Sequence, residues 1–206
     1  DDYGFVGEAL ASRGIVVVIA DYRLYPQVRY PAFLQDGAQA VAWTYQHIAD
    51  YGADPGQLYV MGHSSGAYNA SMLALDARWL NEVGLSPAIF KGWIGLAGPY
   101  DFLPFDVPAS VNAFGRVADP TLTQPVTFAR ADAPPLWLGH GTADVIVHAE
   151  DTTILCERMR AVGGRCADCR WLAICNGNTR TRAWAQGDLW AEDPGCYLSD
   201  EEIGLP

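Results

Sequence analysis

The residues best suited to do chemistry sit in Gly62-His63-Ser64-Ser65-Gly66, which fits the pattern G-x-S-x-G. A serine hydroxyl is a weak nucleophile. It needs a base to take its proton, a third group to orient that base, and N–H donors for the oxyanion that forms. The pattern meets part of this need. A serine on a tight strand-to-helix turn stands above the sheet edge, and glycines two before and two after it let strand and helix approach closely. Ser65, next in sequence, would offer its backbone N–H to the oxyanion. A glycine–serine turn without chemistry is the plainer reading, and the flanking sequence argues against it. Leu58-Tyr59-Val60-Met61 is a short apolar run that reads as a buried strand, and residues 67–75 are rich in helix formers.

The elements that must position this turn follow one another as helix and strand. Residues 1–13 carry apolar side chains at helical spacing (Phe5, Val6, Ala9, Leu10), and Gly14 stops them. Residues 15–20 are mostly β-branched and predict a buried strand that extends through Asp21-Tyr22-Arg23-Leu24. Tyr25-Pro26 and Tyr30-Pro31 frame a loop. Residues 32–51 predict a second helix with a stripe of Ala38, Val41, Ala42, Tyr45 and Ile48, ended by Gly52. After a turn at Asp54-Pro55-Gly56 come the strand at 57–61, the elbow, and a helix running to about Leu80. Strands are predicted at 89–97 and 136–138, and a helix at 150–162. Residues 98–132 have many prolines and no clear period; residues 100–132 are read as an irregular, cap-like insert.

Strands alternating with helices imply an α/β fold, a mostly parallel sheet with helices on both faces. Right-handed crossovers bring the C-terminal strand ends to one edge, where ligands bind. Ser64, Asp101 and Asp144 all follow predicted strands and are expected along that edge.

The 206 residues suffice for one domain with a sizeable core. A net charge of −11 argues against nucleic acid or an anionic membrane as partner, and no apolar run approaches a membrane span. The first 155 residues contain no cysteine, which favours a reducing, cytoplasmic setting, with a lost signal peptide still compatible. Cys156 stands in a predicted helix. Cys166, Cys169, Cys175 and Cys196 crowd the last 41 residues, where the helical pattern stops. Residues 166–206 therefore read as an atypical tail, divergent or out of frame, with at most a single strand at 170–174. Its four thiols admit a zinc site or a disulfide, although their spacing fits no familiar zinc module.

Taken together, 1–165 resembles the α/β-hydrolase superfamily, in its carboxylesterase branch near the hormone-sensitive-lipase-like esterases and kynurenine formamidases. The likeness rests on Ile19-Ala-Asp-Tyr-Arg-Leu24, Tyr30-Pro-Ala-Phe-Leu-Gln-Asp36, Asp54-Pro55, Gly62-His-Ser-Ser-Gly66, Gly98-Pro-Tyr-Asp101 and Gly139-His-Gly-Thr-Ala-Asp144. The resemblance implies a triad in the order Ser, Asp, His. Ser64 takes the nucleophile position and Asp144 the acid position. A turn-capping role is the alternative for Asp144. Asp101 is the rival acid and more plausibly caps the segment after its strand.

Two features of the family are missing from the sequence. No His-Gly-Gly loop supplies further oxyanion donors, and the strand before that loop is missing too. The resemblance places that strand between 15–20 and 57–61, so two unpaired edges are expected there. The triad histidine is also missing. His47 belongs to a helix, His63 should point away from the nucleophile, His140 comes too early, and His148 is only four residues past Asp144. No histidine is expected beside Ser64 and Asp144.

The resemblance thus implies a serine hydrolase of small carboxylic esters acting through an acyl-enzyme on Ser64, with no metal or cofactor, in a chain whose site is impaired. An arylformamidase-like amide hydrolase and a catalytically dead hydrolase-fold fragment or binding module are the alternatives.

Overall fold

The computed structural model describes residues 3–161. Helix α1 spans Gly4–Ala11 and α2 spans Ala32–His47. The predicted single helix at 32–51 tightens into a 3-10 turn over Ile48–Tyr51, and Gly52 closes it at φ 82°, a left-handed conformation that costs glycine little. Asp54 Oδ1 accepts the Gly56 N–H at 2.7 Å and turns the chain into strand β1, Leu58–His63. Helix α3, Ser65–Leu75, follows directly. The helix expected to run to Leu80 breaks at Asp76, whose extended backbone and carboxylate cap a separate helix α4, Ala77–Asn81. Strand β2 is Phe90–Leu96, helix α5 Pro108–Phe114, strand β3 Leu136–Gly139 and helix α6 Ala149–Ala161.

Among the described residues the sheet is parallel, in the order β1-β2-β3. Gly62 pairs with Gly95 and His63 with Leu96; Leu96 in turn pairs with Gly139. The three C-terminal ends therefore lie side by side, and the elbow, the Gly98–Asp101 turn and the loop after Gly139 all leave from one edge.

Helix α3 packs against β1 and β2 and is buried over every residue from Ala67 to Leu75. Leu34, Met72, Leu80 and Trp93 are fully buried. Each such side chain contributes roughly 1.5–3 kcal/mol relative to exposure. The aperiodic stretch after β2 also feeds this core. Phe114 meets Phe33 and Tyr68, Phe102 meets Tyr68, and Phe105 packs on Phe102 and Phe114, with ring centroids 5.3–6.3 Å apart across this cluster. Arg130 ties the stretch to α3 by donating to the carbonyls of Ala74 and Leu75.

Residues 15–20 depart from expectation. They form no strand and join no ladder among the described residues, and Ile15 and Ile19 are half exposed at 50% and 51%. β-Branched residues favour extended backbone, whereas burial depends on neighbours. Here α1 supplies the cover on one side: a Cβ on Gly7 would stand 3.0 Å from Ile19 Cδ1. The edge of β1 away from β2 likewise has no ladder partner among the described residues, and it leaves Tyr59 and Met61 exposed. The tail expectations at 166–206, including the strand at 170–174 and the four cysteines, fall outside the described residues.

Candidate active site

The site is built on the turn from β1 to α3. Gly62 is where the two elements touch. A Cβ there would fall 2.0 Å from the Gly66 carbonyl oxygen and 2.6 Å from Ala67 N. Ser64 adopts φ 53°, ψ −122°, a conformation that side chains rarely take and that costs on the order of 1–3 kcal/mol. Backbone bonds hold it there. Ser64 N–H donates to Leu96 O at 2.8 Å, and its carbonyl accepts from Ala67 N at 2.9 Å and Tyr68 N at 3.1 Å. Its side chain makes no capping bond, so the hydroxyl is not spent on the helix terminus. Ala97, just past β2, has φ 48° and donates to Gly139 O at 2.8 Å. Both positive-φ non-glycine positions thus lie on the same sheet edge.

The two glycines have different roles. Gly62 admits the helix; Gly66 admits nothing, because a Cβ there would meet no atom within 4 Å. The expectation that both permit close approach is corrected for Gly66: it presents its carbonyl, not its missing side chain, to Gly62. Ser65 is the first residue of α3, and N–H groups of a first helical turn have no partner within the helix. That leaves its N–H available to a ligand oxygen. Its hydroxyl lies 3.1 Å from Tyr22 Oη.

None of the four histidines is hydrogen-bonded to Ser64. His63 bonds Tyr3 Oη through Nδ1 at 2.8 Å. His47 Nδ1 lies 2.8 Å from Trp43 O. His148 is exposed. His140 stands beside the acid without bonding Ser64: its Nε2 lies 3.4 Å from Asp144 Oδ2. The imidazole is buried and fully engaged: Nε2 reaches Val147 O at 2.8 Å and Nδ1 reaches Thr152 Oγ1 at 2.7 Å. A carbonyl only accepts, so Nε2 carries the proton. The ring fastens the loop after β3 to α6. His140→Ala should cost about 1–3 kcal/mol in urea unfolding, because the Val147 carbonyl loses its donor in a half-buried place.

Asp144 Oδ1 accepts the N–H groups of Ile146 at 2.9 Å and Val147 at 3.1 Å. These bonds hold its carboxyl below the usual carboxylate range, with the nearby His140 adding to the effect. Asp144 is thus an ionised carboxylate on the expected edge. It also caps its own loop, and the bonds push Val145 and Ile146 outward, where they are 81% and 85% exposed.

Asp101 caps no helix: the next helix starts at Pro108 with Val107 as its N-cap. Instead its charge acts on Asp151 of α6. Burial raises the Asp151 carboxyl to about 6; the Tyr100 N–H opposes the rise, the Asp101 charge adds to it, and His140 and His148 oppose it. In the unfolded chain this carboxyl titrates near about 3.9. Between these values the folded chain holds the extra proton, so the contribution of Asp151 to stability is full below pH ~4 and is lost as pH rises through ~6. About 1 kcal/mol should be lost across that window, allowing for solvent screening of a half-exposed group. Asp151→Asn should remove this slope when unfolding is followed by denaturant from pH 4 to 7.

Sequence reasoning missed Tyr22, His140 and Asp151. Tyr22 stands inside the Ile19–Leu24 motif, so a polar residue ending a β-branched run was the available signal. The roles of His140 and Asp151 had no local signal.

Residues 1–159 match the BD-FAE family. The chain belongs to that family. It is an α/β-hydrolase chain of the carboxylesterase branch. Isoprenylcysteine alpha-carbonyl methylesterase ICME of Arabidopsis thaliana is 26% identical over 210 residues, 92% of this chain and 47% of that protein. Esterase 2 of Thermogutta terrifontis, in its apo form, is 25% identical with a TM-score of 0.65, over 79% of this chain and 62% of that one. This BD-FAE chain spans about half the length of the curated relatives it matches. A shorter likeness is to Fe-coproporphyrin III synthase of Methanosarcina barkeri, 57% identical over 47 residues, 22% of this chain and 12% of that protein. The family match leaves residues 160–206 outside it. Among the described residues, no helix is long and apolar enough to cross a membrane.

Proposed function

We propose that residues 1–165 form the nucleophile-bearing part of a carboxylic ester hydrolase working through an acyl-enzyme on Ser64. The observation that carries this reading is Ser64 itself, held at φ 53° between β1 and α3 with its hydroxyl uncommitted. In the reaction Ser64 Oγ attacks the ester carbonyl and forms the acyl bond. The Ser65 N–H donates to the oxygen that becomes anionic, the alcohol leaves, and water releases the acid. Asp144 holds the acid position, ionised and on the same edge as the nucleophile. The proposed unit does not include residues 166–206. The names of the relatives support ester over amide hydrolysis.

A second reading has its own observation. With no histidine bonded to Ser64, the second reading is a chain that binds a carbonyl compound without turning it over. External imidazole separates the two. On p-nitrophenyl acetate, added imidazole should raise hydrolysis by the chain above that by a Ser64→Ala variant, because a mobile base can take the proton that no side chain accepts. Equal rates for the two proteins at every imidazole concentration would leave only the binding or inert reading.

A further inference from the structure

Two tyrosines from the first 22 residues reach the two neighbours of Ser64. Tyr3 Oη bonds His63 Nδ1 at 2.8 Å on one side, and Tyr22 Oη bonds Ser65 Oγ at 3.1 Å on the other. Ser65 is the first residue of α3, and its N–H is the oxyanion donor of the reaction proposed above. We propose that Tyr22 is a positioning residue for that donor: by holding the Ser65 side chain it fixes the peptide plane that carries the N–H. This inference rests on the ester-hydrolase reading for its catalytic consequence, though not for its structural one.

The geometry favours a fixed anchor. Tyr22 is half-buried, its ring packs against the core, and its position is set by the next residue. Arg23 forks onto Asp36 of α2: Nε lies 2.9 Å from Oδ2 and Nη2 lies 2.7 Å from Oδ1. The Arg23 backbone N–H adds a third bond to Oδ2 at 3.0 Å. A hydroxyl on so well-held a segment is a fixed point, whereas Ser65 sits at the exposed start of a helix beside a strained residue. Helix termini fray, and an oxyanion donor is effective only when its direction is fixed before charge develops. Tyr22 supplies that constraint from 43 residues away, from a segment outside the β1–β2–β3 ladder.

The test uses Tyr22→Phe, Ser65→Ala and the double variant, with two readouts. Tyr22→Phe keeps the ring and removes only the hydroxyl. In the imidazole-supported assay each single variant should lower the acylation rate about five- to ten-fold with KM unchanged, and the double variant should fall no further, because both remove one interaction. In 15N relaxation, Tyr22→Phe should increase motion at Ser65 and Gly66 while the rest of α3 keeps its order. Additive losses in the double variant would overturn the inference, as would a Tyr22→Phe chain matching the original in both readouts. If the original chain shows no Ser64-dependent hydrolysis, the ester-hydrolase reading falls. The relaxation data then decide alone: unchanged order at Ser65 refutes the anchor, and local loss of order establishes it.

Discussion

Gly62→Ala should destabilise the fold by about 3–5 kcal/mol or prevent folding altogether. The added methyl would lie 2.0 Å from the Gly66 carbonyl oxygen, 2.1 Å from its carbon and 2.6 Å from Ala67 N. All three are backbone atoms, so no rotamer change can make room. Relief requires α3 to withdraw from β1, yet α3 is buried from Ala67 to Leu75 and is the main cover of β1 and β2. A domain holding only about 5–15 kcal/mol in total has little margin for such a shift. Gly66→Ala is the matched control. Its methyl would meet nothing within 4 Å, and a helical alanine is favoured over glycine by about 0.5–1 kcal/mol. Urea denaturation followed by circular dichroism should therefore move in opposite directions for two glycines of one motif. Equal, small effects at both would mean that strand and helix are not in the contact described.

That contrast shows what the sequence could convey and where it fell short. A motif records residue types, and at Gly62 and Ser64 the type is imposed by local backbone: one position excludes a Cβ and the next bends sharply into a helix. Such constraints act over five residues and are legible. The parallel order was legible as well, since β1, β2 and β3 are each short apolar runs separated by helical or turn-rich stretches. The burial of 15–20 was not, because Ile-Val-Val-Val-Ile states a preference for extended backbone without naming a neighbour. The break at Asp76 was hidden within a run of helix formers. It becomes clear only from the carboxylate, which accepts the Arg78 N–H and forks with its guanidinium. The Tyr22–Ser65 bond joins residues 43 apart, and no periodicity predicts it. The likeness to α/β-hydrolases assigned Ser64 and Asp144, by position, as the proposed nucleophile and acid. The structure then added what position could not: Asp144 is engaged with its own loop, and His140 serves that loop rather than Ser64.

Without added imidazole, this chain should hydrolyse short aryl esters at rates close to a Ser64→Ala control. The argument begins with the proton on Ser64 Oγ. An alcohol attacks a carbonyl efficiently only if that proton leaves as the bond forms, and general-base help contributes typically 10²–10⁴-fold. His63, the histidine nearest in sequence, bonds Tyr3. His140 has both nitrogens occupied. Asp144 has spent one oxygen on two N–H groups and is held ionised well below neutral pH, which makes it a poor base there. What remains is orientation and the Ser65 N–H. Enzymes stripped of triad members retain on the order of 10³–10⁴ over water from such contributions. One identified donor should supply less than that, since removing a single oxyanion donor elsewhere costs about 10²–10³ in kcat. The comparison is made with purified chain and Ser64→Ala on p-nitrophenyl acetate between pH 6 and 8. Turnover at ordinary enzyme rates that disappears in Ser64→Ala would show that a base does reach Ser64. His148 would then be the first residue to replace, because it is the exposed histidine on the loop that carries Asp144.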